Sequence, residues 1–112
     1  MKNFILKRLV KQYFKAFNNH STDQLLPLFS QNIQLRDWEV SLKGIDKVLA
    51  HNNKIFVENK KIHVMVKELS FNKRTVFAEL LIQIKKNKNI NVIDIITYDN
   101  KNLIKSIKAF IG

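Results

Sequence analysis

Cysteine is absent from the 112 residues, which excludes disulfides, thiolate nucleophiles and cysteine-based metal sites. Glycine occurs only at Gly44 and Gly112, and proline only at Pro27. Two glycines cannot furnish a Gly-rich phosphate loop or a dinucleotide fingerprint, and no G-x-S-x-G nucleophile elbow is present. No apolar run approaches the roughly 20 residues of a membrane-spanning helix. After Lys2 the apolar run Phe4-Ile5-Leu6 ends at Lys7-Arg8, so it does not read as a secretory signal. A cytoplasmic location is the default expectation. His20, His51 and His63 lack metal-ligand spacing and are expected at the surface or at helix edges. No metal and no cofactor is expected.

Acidic residues are also few: nine, against 20 basic ones, for a net charge of +11. Such a balance invites a nucleic-acid reading. Yet 17 of the basic residues are Lys and only three are Arg, whereas base readout and stacking favour Arg. The lysines fall on one helix face (Lys7, Lys11, Lys15) and in turns (Lys60-Lys61, Lys73, Lys85-Lys86, Lys88). With the abundance of Asn and Ile, they read as a biased, solvated surface rather than a nucleic-acid site.

What remains is an ordinary globular composition, 46% hydrophobic, in a single domain spanning 1–112. Leu6, Leu9, Val10, Tyr13 and Phe17 recur at helical spacing, predicting a helix from Asn3 to Asn18. Asn18-Asn19-His20 breaks it. Ser21 with Gln24 reads as a capping box opening a second helix to about Ser30, with Pro27 kinking or tightening it. A strand follows, ending at Asp37. After Gly44 a third helix runs from about Ile45 to Val57, with the stripe Ile45, Val48, Leu49, Asn52, Ile55 and Phe56. Four strands complete the chain, at about Lys61–Phe71, Thr75–Lys86, Ile90–Tyr98 and Leu103–Phe110. Short polar breaks between them predict a meander of antiparallel hairpins. Helices against an antiparallel sheet make an α+β domain.

Two acids violate this pattern. Alternation along the strand at Ile90–Tyr98 puts Ile90, Val92, Asp94, Ile96 and Tyr98 on one face. A lone carboxylate there costs several kcal/mol if charged and unpaired, on the order of the penalty for buried polar groups. Ile33, Leu35 and Asp37 likewise share the inner side of the first strand, while Arg36 points away. Two inward acids point to a shared cavity. Each has a structural alternative: Asp94 as a hydrogen-bond anchor, Asp37 as a cap for the loop at the strand end. On the outer face Phe77, Leu81, Ile93 and Ile95 are too apolar for a fully wet surface.

The run Tyr13–Phe29, then Ile33–Asp37, Gly44–Val48, Val92–Tyr98 and Ile107–Gly112 resembles the nuclear transport factor 2-like superfamily, and within it the SnoaL-like and ketosteroid-isomerase-like branch. The resemblance covers nearly the whole chain. It implies a cone-shaped, curved antiparallel sheet packed on N-terminal helices. It also implies that Tyr13 and Asp94 donate hydrogen bonds to an oxyanion while Asp37 moves a proton. The neutral carboxylic acid of that enzyme class is a known case, and the mechanism comes with the resemblance. Trp38, Phe17, Val92 and Ile96 are then expected to wall a pocket for a small apolar carbonyl-type ligand. A homodimer formed through the outer sheet face is expected, with nucleic acid and membranes as unexpected partners. The fold also hosts non-catalytic binding domains, so an assembly role stays open beside the enzymatic one.

Overall fold

A stripe of Leu6, Val10, Tyr13, Phe14 and Phe17, all buried, winds the first segment into an amphipathic helix. The computed structural model describes residues 2–112, and in it this helix is α1 (Lys2–Asn18). It ends where His20 takes a left-handed backbone, φ 53°. The amide of Ser21 reaches the carbonyl of Ala16, and that of His20 the carbonyl of Phe17, closing the last turn in a Schellman motif. A non-glycine residue is costly in that conformation. His20 is held there by stacking on Phe56, with ring centroids 4.9 Å apart, and by its Nε2 lying 2.7 Å from the Ile62 carbonyl. This histidine therefore serves structure.

The second helix is shorter than its pattern predicts. Ser21 caps it through Oγ, which accepts from the Gln24 amide at 3.1 Å. The Gln24 side chain does not return the bond; its Oε1 accepts from Asn19 Nδ2. α2 spans only Thr22–Leu25, and a single 3-10 turn, Leu26–Leu28, follows with Pro27 at its start. Proline has no amide to continue the ladder, so Phe29 and Ser30, expected in the helix, open strand β1 (Phe29–Arg36) instead. Asp37 thus lies just beyond the strand. An unpredicted short strand β2 (Ser41–Lys43) turns back on β1.

Gly44, at φ 98°, leads into α3 (Ile45–Glu58), and a residue with a side chain would be strained there. The remaining strands are β3 (His63–Asn72), β4 (Thr75–Lys85), β5 (Lys88–Tyr98) and β6 (Ile104–Ile111). They form the expected antiparallel meander, and the six-stranded sheet has the order β2-β1-β6-β5-β4-β3. One join departs from the antiparallel expectation: β1 lies parallel to β6. Asn18 ties the end of α1 to the sheet, its amide bonding both the carbonyl and the amide of Val64 at 2.9 and 2.8 Å. The core lies between the helices and the curved sheet, with Val10, Leu25, Ile33, Val48, Val76, Ile96 and Ile104 among its fully buried members. Each such aliphatic side chain contributes about 1.5–3 kcal/mol on burial.

Candidate active site

Between α1, α3 and the inner face of the sheet lies a cavity of about 420 Å³, within the range of about 300–1,000 Å³ common for small-ligand sites. Most of its wall is aliphatic and aromatic: Phe14, Phe17, Leu35, Ile55, Ile62, Val64, Leu80, Ile82, Ile90, Val92 and Ile107. Tyr13, Asp37, Asn52, Asp94, His51, Glu39 and Lys88 supply its polar groups.

The floor is built around Asp94. In register, Asp94 stands opposite Ala78 of β4 on one side and Ala109 of β6 on the other. Two methyl groups flank a carboxyl, so space opens above the acid where larger side chains would close it. Asp94 is 8% exposed. Burial, and secondarily the Asp37 charge, push its carboxyl up from 3.8 to about 7, because desolvation disfavours the charged form. Tyr13 comes from α1, and its phenol is pushed well above the usual value by burial first and the Asp94 charge second. It is therefore a neutral donor at physiological pH. Tyr13 feels Asp94 and Asp94 feels Asp37, so the three groups share one electrostatic neighbourhood. Tyr98, farther along β5, has a phenol pushed up by burial and an oxygen without a hydrogen-bond partner among the described residues.

The mouth is built differently. Asp37 sits where the chain leaves β1, and its Oδ1 accepts from the amides of Glu39 and Val40 at 2.7 and 2.8 Å. Those two bonds hold the loop, fulfilling the capping alternative, while the same side chain lines the cavity. Its other oxygen, Oδ2, lies 3.7 Å from Nε2 of His51 on α3. Trp38, 46% exposed, stands beside it on the rim.

Tyr13, Phe17, Asp37, Trp38, Val92 and Asp94 all line the cavity. Ile96, expected among its walls, does not. It is fully buried in the core, one inward step along β5 beyond Asp94, where packing leaves no opening. His51 was expected at the surface or a helix edge and instead faces Asp37 inside the mouth. The α3 stripe carried the signal for it, since His51 is adjacent to Asn52 and one turn from Ile55. Among the described residues no group of three or more His, Asp or Glu side chains is arranged to hold a metal ion. No helix of the structure is long and apolar enough to cross a membrane.

No protein-family model matches the sequence, and no curated protein matches it detectably. Solved structures do match in shape. An NTF2-like protein of unknown function from Cytophaga hutchinsonii superposes with a TM-score of 0.82 at 14% identity, covering 96% of this chain and 89% of that one. A SnoaL-like protein of unknown function from Burkholderia thailandensis gives 0.85 at 11% identity, covering 96% and 93%. SalBIII, an epoxide hydrolase/cyclase-like enzyme in pyran ring formation in polyether salinomycin, gives 0.80 at 18% identity, covering 98% and 92%. The chain has the nuclear transport factor 2-like fold.

Proposed function

We propose that this nuclear transport factor 2-like protein binds a small, largely apolar carbonyl compound in its cavity and moves a proton α to the carbonyl. In this reading Asp37 is the base, through the oxygen not engaged by the loop amides. Tyr13 and Asp94, in its protonated form, donate hydrogen bonds to the enolate oxygen that develops. Donors set in an apolar cavity stabilise such charge more than they do in water. The observation that carries the reading is the pairing of two acids in opposite conditions around one cavity. Asp94 is pushed up to about 7 by burial, while Asp37 is held as an acceptor by two backbone amides. A general acid–base site needs such a division of roles. The test is turnover of a β,γ-unsaturated ketone by wild type and by Asp37→Asn, which keeps the loop bonds. Unchanged turnover would remove Asp37 as the base.

A second reading, a dimeric assembly domain, is favoured by the outer sheet face. Phe77 pairs in register with Ile95, Ile93 with Phe110, and Met65 with Leu81. These apolar pairs share the outer face with Glu79, Asn91 and Lys108, and Met65 and Phe110 are about half exposed. A patch of this kind fits a second copy of the chain. Sedimentation equilibrium is expected to give a dimer for wild type and a monomer for Phe77→Glu. A wild type that stays monomeric at high concentration ends this reading.

A further inference from the structure

Helix α3 buries four residues, Ile45, Val48, Asn52 and Phe56. Spaced by three and four, they are one helical stripe, and three of the four are apolar. The fourth breaks it in the same way that Asp94 breaks the inner row of β5. Asn52 is 2% exposed and lines the cavity, and its Oδ1 has no hydrogen-bond partner among the described residues. A buried acceptor without a donor is disfavoured, and a leucine at this position would complete the stripe without that cost. The amide therefore lacks a donor that the fold does not supply.

The floor has the complementary need. Tyr13 and, below about pH 7, the protonated Asp94 are donors that seek an acceptor. A ligand with a single carbonyl satisfies the floor and leaves Asn52 as it is. A hydrocarbon satisfies neither. A ligand with an acceptor at one end and a hydroxyl at the other satisfies both, and hydrogen-bond demands of that kind discriminate more sharply than apolar shape does.

We propose that the cavity is built for a bifunctional ligand, a hydroxylated carbonyl or enol compound whose oxygen accepts from Tyr13 and Asp94 and whose hydroxyl donates to the Asn52 amide. The proposal rests on the pocket reading above and adds the ligand's second polar group to it. It makes Asn52 a specificity-determining residue with no part in moving the proton.

The test is equilibrium binding of a naphthol and a set of dihydroxynaphthalene isomers, followed by fluorescence at mildly acidic pH. In wild type at least one isomer is expected to bind about five- to tenfold more tightly than the naphthol, the scale of one good hydrogen bond. In Asn52→Leu that preference is expected to disappear, with the naphthol's affinity in the variant as the reference and circular dichroism showing that the variant has folded. Should the leucine variant not fold, Asn52→Ala serves the same comparison. The absence of any preferred isomer in wild type, or a preference that survives in the variant, overturns the proposal. Failure of every probe, the naphthol included, overturns the pocket reading and this proposal with it.

Discussion

Asp94 on the cavity floor and Asp37 at its mouth are the same side chain under opposite conditions. On the floor the acid sits in the middle of a strand, where backbone amides are committed to the sheet and the neighbours are alanines and aliphatics. Desolvation there disfavours its charge and, with the Asp37 charge second, pushes it to about 7. At the mouth the acid sits past the end of a strand, where the chain turns and frees two amides to meet its Oδ1. The difference shows that position relative to the end of a strand, more than residue type, decides whether a carboxyl finds free backbone amides to accept from.

The largest test of this contrast removes the mouth acid's chemistry alone. Asp37→Asn is expected to lower turnover of an enolisable ketone by about 10²–10⁴-fold, the usual weight of a general base, with little change in Tm. The floor acid makes the next largest prediction. Its folded pKa of about 7 lies above the ordinary 3.8, so between those values the folded state binds the proton that the unfolded state releases. Stability therefore falls as pH rises from about 4 to 7, by an amount on the order of a few kcal/mol, and is flat above. Asp94→Asn is expected to abolish this slope and to be the more stable protein at alkaline pH, as urea melts at several pH values will show. A wild-type curve without the slope would mean that the floor carboxyl is solvated after all.

Filling the floor sharpens the comparison further. Ala109→Leu places bulk beside Asp94 and is expected to weaken a naphthol probe about tenfold or more, equivalent to 1.4 kcal/mol, while Asp37 keeps its loop bonds. The smallest effect belongs to the loop. Asp37→Ala removes the acceptor of two amides and is expected to cost about 1 kcal/mol in chemical denaturation, the typical scale of a lost cap. An effect near zero would show that the loop amides turn to water without penalty.

Much of this was legible along the chain. Asp94 announced itself by interrupting Val92 and Ile96, whereas the α1 stripe marked Tyr13 only as buried and its place in the site came with the family resemblance. The meander was legible from polar breaks such as Asn72-Lys73 and Asn87-Lys88, where Lys73 and Asn87 take positive φ. Other features were not. Pro27 was expected to kink or tighten the second helix, but α2 ends at Leu25 and Phe29 joins the sheet instead. The parallel join of β1 to β6 pairs residues some seventy positions apart, beyond any local pattern. Ile96 and Asp94 share a face, yet only one borders the cavity, because depth along a strand is not written in alternation. The α3 stripe placed His51 beside Asn52 and Ile55, but only the fold brings Asp37 across from it.

Alternation, helical spacing and turn residues thus determined by themselves the order of elements, the sides they bury and the presence of an acid where no acid is expected. They act over a few residues, and the chain carries them explicitly. Tertiary structure alone decided that Asp94, Asp37, Tyr13, His51 and Asn52 border one cavity, and which carboxyl is pushed toward neutrality. Those outcomes depend on desolvation and on neighbours brought together across strands, and both are properties of the packed three-dimensional arrangement.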